Sequence, residues 1–167
     1  MVAQLIAKYR NTGLLIDTNL LVRLIVGTLD RKLIKFNRAD SRPFTEEDFD
    51  LLVEFATLFT RIVSTPHILT ELSNLTGKLD SKRHSEVREI IKIFVLKKVD
   101  EAQVSAADIV QHEMFVRLGM ADTAIHLIAP GKYLVLTDEL ALVGTLRKRG
   151  IDVINFNNIR MLNWKAD

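Results

Sequence analysis

Short apolar runs of strand length alternate with longer amphipathic stretches along this chain, and that alternation allows few folds. Residues 13–17 (GLLID), 61–65 (RIVST), 133–137 (YLVLT) and 151–156 (IDVINF) read as strands, the first and third almost continuously apolar, as strands buried on both faces are. Between them apolar positions recur at helical spacing. Helices are expected from about residue 19 to Gly27, after Thr45, after Thr65-Pro66, over 85–98, up to Leu118 before Gly119, over 121–129 before Pro130-Gly131, and over 139–149. Thr45 is a good cap, although Asp48 stands where a full capping box wants Glu or Gln. The tail to Asp167 carries no clear pattern.

Strands joined through helices need crossover connections, which make a sheet mostly parallel and cover both its faces. The expected fold is an α/β, three-layer α/β/α sandwich with a central, mostly parallel sheet. At 167 residues it fits one domain, with a helical and basic insertion at about 28–60.

Composition narrows the chemistry. With no cysteine, the chain has no disulfide, thiolate nucleophile or Cys-type zinc site. No apolar run approaches the roughly 20 residues of a membrane helix, and MVAQLIAKYR lacks a signal-peptide pattern, so a cytoplasmic protein without membrane contact is expected. The net charge of +2 is too mild to argue for nucleic acid by itself. Arg31, Lys32, Lys35, Arg38 and Arg42 do cluster within the insertion, where they either grip RNA phosphates or form a solvated face.

Two apolar strands run straight into an aspartate, Asp17 after LLI and Asp138 after LVLT. In open α/β sheets ligands bind beyond the carboxyl ends of the strands, so both acids point to one crevice. Glu71 borders the apolar stripe of the helix opened by Thr65-Pro66, and Asp122 begins a short apolar helix after Gly119. Each alone reads equally well as a cap, turn or surface acid. Together they need a counter-charge, because two unit charges about 4 Å apart repel by roughly 4 kcal/mol at an effective dielectric near 20. Hard cations such as Mg²⁺ or Mn²⁺ supply one, and the scattered His67, His84, His112 and His126 offer no zinc spacing. Such a site suits attack of an activated water on a phosphodiester.

The ordered set LLIDTNLLVRL, TPHILTEL, GMADTAIHLIA and YLVLTDELALVGTLRKRGIDVINF resembles the PIN-domain nucleases, named for the PilT N-terminus, over roughly residues 13–156. The resemblance implies a PIN-like fold and a divalent-metal-dependent endoribonuclease in which Asp17, Glu71, Asp122 and Asp138 are the catalytic and metal-holding acids. It also implies that Thr18, Asn19 and Thr137 orient carboxylates or phosphate, against the plainer reading of turn and cap chemistry. Many relatives are toxins of toxin–antitoxin pairs, so RNA, an antitoxin protein and a second copy in a homodimer are the implied partners. The stretch from Asp17 to Glu71 is longer than in compact toxins, which weakens the toxin role but not the acids. The rival reading is a PIN-like RNA-binding or scaffolding module without catalysis; an aspartyl phosphoryl-transfer enzyme ranks far behind, since position 19 is Asn.

His67, one turn before Glu71, and His126, one turn after Asp122, are conceivable substrate contacts. Trp164 could stack a base but more often such a residue packs on its own domain.

Overall fold

The structure, a computed structural model, describes residues 2–35 and 43–163. It is an α/β protein built on one five-stranded, all-parallel sheet with helices on both faces, three layers in all. The strands are β1 (Leu14–Ile16), β2 (Ile62–Ser64), β3 (Val99–Glu101), β4 (Leu134–Thr137) and β5 (Val153–Asn155), in spatial order β3-β2-β1-β4-β5. Chain order therefore reverses between β1 and β4, where Ile16 pairs with Leu136. A crevice opens at such a switch point, and it lies just beyond the two strands that end in aspartates.

Every residue of β1, β2, β4 and β5 is buried, in keeping with their apolar sequences. The edge strand β3 was not expected from the sequence. Val99, Asp100 and Glu101 lie half-buried or exposed, so no apolar run advertises the strand. Its pairing with β2 and the Arg61–Asp100 ion pair at 2.7 Å define it instead.

The helices, in chain order, are α1 (Val2–Tyr9), α2 (Thr18–Leu29), α3 (Glu46–Thr57), α4 (Pro66–Thr76), α5 (Ser81–Lys98), α6 (Ala106–Gln111), α7 (Phe115–Ile128), α8 (Leu140–Lys148) and α9 (Phe156–Asn163). Four differ from expectation, the first being α1, which the sequence pattern did not announce. Helix α2 runs past Gly27 to Leu29, because this glycine is no terminator: a Cβ there would drive into the Phe49 ring of α3. The segment before Gly119 breaks into α6 and the start of α7, with His112 as the α6 cap. The tail beyond β5 turns straight into α9, whose Phe156 is fully buried.

The capping box of α3 is complete. The Asp48 N–H donates to Thr45 Oγ1 at 3.2 Å, and the Thr45 N–H donates to Asp48 Oδ2 at 2.8 Å, so the shorter acid suffices. Within the insertion, residues Arg31–Lys35 form a 3₁₀ turn. The Lys35 side chain, Arg38, Arg42 and Trp164 lie outside the described residues. One hydrophobic cluster extends from Tyr9 through Leu52 and Phe55 of α3 to Phe156, so the described part of the insertion shares the core of the sheet. Among the described residues no helix is long and apolar enough to cross a membrane.

Candidate active cleft

Asp17 follows β1 directly and caps α2. Its backbone N–H donates to Leu136 O at 3.0 Å, an extension of the β1–β4 ladder. Its Oδ1 accepts from the Leu20 N–H at 2.8 Å, and its Oδ2 accepts from the Thr137 hydroxyl at the end of β4. Both oxygens are thus fixed, one by the first turn of α2 and the other by the end of β4. The side chain is almost wholly buried.

Next along the chain, Thr18 donates its hydroxyl to Glu71 Oε2 at 2.8 Å and ties α2 to α4. Glu71 itself is exposed, on the cleft side of a helix whose Ile68 and Leu72 are in the core. Asp122 owes its place to Gly119. The backbone at Gly119 has φ +77° and ψ −170°, which interrupts α7 and restarts it so that Asp122 falls in the first turn of the new segment.

Asp17, Glu71 and Asp122 line one open cleft of about 690 Å³, together with Thr18, Asn19, His67 and Glu139. Asp138 does not line it. The Asp138 side chain lies behind the wall, 7% exposed, with Oδ2 3.4 Å from the guanidinium of Arg23, which is equally buried. The acid that faces the cleft from β4 is the neighbour, Glu139. The sequence pattern points to the first acid after the strand, whereas the second is the one in the cleft lining. A single arginine in the apolar run of α2 was the available signal, since an arginine buried there requires an acidic partner.

The cleft has no Lys or Arg among its described lining residues. The electrostatic consequence is visible on two carboxyls. Burial, then the charge of Asp138, pushes Asp17 well above the ordinary carboxylate range, despite the opposing hydrogen bonds from Thr137 and Leu20. Burial, then the charges of Glu139 and Glu71, pushes Asp122 up to about 7. Both groups are therefore harder to ionise than an ordinary carboxyl, and a bound cation would oppose that shift.

The chain matches no protein-family model and no curated protein. The cleft has to be read from its own chemistry.

Its donors are carboxylate oxygens with hydroxyls and amides beside them, a set that fits a hard divalent cation better than zinc or copper. Among the described residues no three His, Asp or Glu side chains form a ready-made metal cage, so a bound ion would draw ligands inward or complete its shell with water. Of the supporting residues, Thr18 and Asn19 are in the cleft wall and Thr137 is buried beneath Asp17.

The two histidines separate. His67 lies in the cleft with its Nδ1 buried and unpartnered. His126 faces away, buried against α8, with Nε2 3.2 Å from Thr145 Oγ1, and burial lowers its pKa to about 4. The basic stretch also separates from the cleft. Arg31 pairs with Asp50 at 2.7 Å and lies over the Phe49 ring, and with Lys32 it lines a different hollow beside Phe44.

Proposed function

We propose that this chain is a divalent-metal-dependent endoribonuclease of PIN-like type that hydrolyses RNA phosphodiester bonds. The observation that carries the reading is the meeting of Asp17, Glu71, Asp122 and Glu139 in one cleft at the sheet's switch point, with no Lys or Arg among its described walls. The resemblance of the surrounding motifs to PIN-domain nucleases supplies the substrate class.

In this reading Asp17, Glu71, Asp122 and Glu139 hold the ion, Mg²⁺ or Mn²⁺. When bound, the ion supplies an activated water and offsets charge on the phosphate. The chain's own part is positional. The Leu20 N–H and the Thr137 hydroxyl fix Asp17, the Thr18 hydroxyl fixes Glu71, and Gly119 sets the angle at which Asp122 enters. Asn19 and His67 offer hydrogen-bonding groups to phosphate or base from the cleft wall. An antitoxin protein, a homodimer and a cytoplasmic setting belong to the same proposal through the resemblance alone.

Incubation of single-stranded RNA with the chain and Mn²⁺ or Mg²⁺ tests the reading. Cleavage that stops with chelator and with Asp17→Asn supports it. Binding of RNA without cleavage points instead to a non-catalytic module, a reading favoured by one observation, the engagement of Asp138 by Arg23.

A further inference from the structure

Helix α4 carries Glu71 into the cleft, but the acid is only the middle of what that helix presents there. His67, Thr70 and Asn74 line the same cleft. At helical spacing these positions and Glu71 share one face of α4, within about 10 Å along its axis. All three are hydrogen-bonding groups, and none carries a fixed charge. Thr70 donates its hydroxyl to Pro66 O at 2.7 Å, which leaves the oxygen free to accept. Asn74 is exposed, and its amide makes no hydrogen bond among the described residues. His67 is half-buried with Nδ1 turned inward and unpartnered, so the cleft meets the rest of its ring.

The wall supplied by α7, which packs against α4, has a different character. Where Gly119 breaks the helix, Leu118 and Met120 line the cleft, both half-buried, so this wall is apolar up to Asp122. A strip of hydrogen-bonding groups and an apolar wall suit a flat ring with apolar faces and a polar edge. An unpaired RNA base is read in this way, with its face on apolar or aromatic groups and its edge on amides and hydroxyls. A methionine thioether suits an aromatic face, and an asparagine amide matches a donor and acceptor side by side on a base edge. A phosphate is the poorer match, because these groups bring no fixed positive charge and Glu71 stands among them.

We propose that His67, Thr70 and Asn74, with Leu118 and Met120, form a subsite for one unpaired base beside the scissile bond. The chain then selects its RNA by base rather than by a grip on the backbone. The inference rests on the RNA-cleaving reading of the cleft for its substrate and adds how that substrate is chosen. His67 and Asn74 are specificity-determining residues, and neither holds the ion.

Short, fluorescently labelled single-stranded RNAs, identical except for an abasic nucleotide moved one position at a time, test this in Mn²⁺. The wild type cleaves beside a preferred base, and an abasic nucleotide at that position slows cleavage by about tenfold or more. Asn74→Ala and His67→Ala each raise KM by about tenfold and flatten the preference. Their kcat stays within about threefold of the wild type, and Mn²⁺ binding, followed by electron paramagnetic resonance of the free ion, is unchanged. Asn74 is exposed on a helix, where alanine is well accepted, so that variant folds. Cleavage that ignores the abasic position, or an Asn74→Ala chain that keeps both KM and preference, overturns the subsite and leaves the nuclease reading standing. If no strand is cut, fluorescence anisotropy of the same strands reads the subsite directly. Binding that weakens about tenfold at one abasic position and in Asn74→Ala supports the subsite and removes catalysis alone. Binding that is absent, or indifferent to both changes, removes both readings.

Discussion

Asp48 and Asp17 are equally hidden from solvent, at 1% and 2% exposure, yet they are held in opposite ways. Asp48 completes the capping box of α3 and accepts from Arg160 at 2.6 Å, so its charge is answered inside the fold. Arg160 in turn donates to Pro43 O and Asn157 Oδ1, which staples α9 to the end of the insertion. Asp17 has hydrogen bonds but no described cation, and other acids share its cleft. A buried carboxylate with an internal cation holds structure together. One without it stores an electrostatic cost that only a proton or an external cation relieves.

The largest expected effect comes from breaking the compensated side. Asp48→Ala leaves Arg160 buried without its acid and removes half of the capping box, so unfolding free energy falls by about 3–5 kcal/mol. Denaturant titration checks it. A loss under about 1 kcal/mol would place this pair with exposed ion pairs, which contribute little.

Asp17→Asn acts on the other side with the opposite sign for stability. The amide keeps an acceptor for the Leu20 N–H and cannot ionise, so at alkaline pH, where Asp17 would lose its proton at a cost, the metal-free variant melts at a higher temperature than the wild type. RNA cleavage drops by at least about a hundredfold, equivalent to about 2.7 kcal/mol. An active Asp17→Asn chain breaks the comparison outright.

The uncompensated acids also predict how stability follows pH. With the folded pKa of Asp122 about 7, and that of Asp17 also raised, the folded chain binds more protons than the unfolded one above the ordinary value of 3.8. Their contribution to stability is therefore greatest at low pH and declines as pH rises towards and through 7. Divalent metal reverses the decline, adding about 2.7 kcal/mol at a hundred times its dissociation constant. Thermal melts with and without Mn²⁺ should diverge at pH 8 and converge near pH 5. Parallel curves would mean that the ion binds elsewhere.

His126 titrates the other way. Its folded pKa, about 4, lies below the ordinary 6.5, so its contribution is full above pH 6.5 and disappears as pH falls towards 4. The Nδ1 atom has no partner, and His112 stands 6.1 Å away between ring centres, so nothing nearby welcomes a second proton. The expected loss across that window is about 2 kcal/mol. His126→Gln, which keeps a donor for Thr145, should flatten the acid side of the stability curve.

What was legible in the sequence follows the same division. Buried strands and capped helices announce themselves because one local pattern determines each: LLI and LVLT for β1 and β4, Thr65-Pro66 for α4. Asp17, Glu71 and Asp122, which line one cleft, each lie beside such a pattern and so could be picked out as candidates. The choice between Asp138 and Glu139 was not, because it depends on where Arg23 goes, and that is a contact between α2 and the end of β4. Edge strand β3 and helix α9 were hidden for the same reason: pairing with β2 defines one, and the Phe44–Phe156 stack anchors the other.

The smallest effect sharpens the comparison most, because it touches no charge. Gly119 has open space around it, and a Cβ there meets nothing within 4 Å, so Gly119→Ala costs only its backbone conformation, φ +77° with ψ −170°, which is all but confined to glycine, at least about 1 kcal/mol. The backbone, however, is what turns α7 so that Asp122 enters the cleft. Relaxation of φ from +77° towards helical values would rotate the first turn of the restarted helix and carry Asp122 with it. Mn²⁺ affinity should therefore fall more than stability does, whereas the buried Asp48–Arg160 pair, which no part of α7 touches in the hydrogen bonds described, should be unaffected. Equal small losses in metal affinity and in stability would show instead that Gly119 is only a turn and that Asp122 does not depend on it.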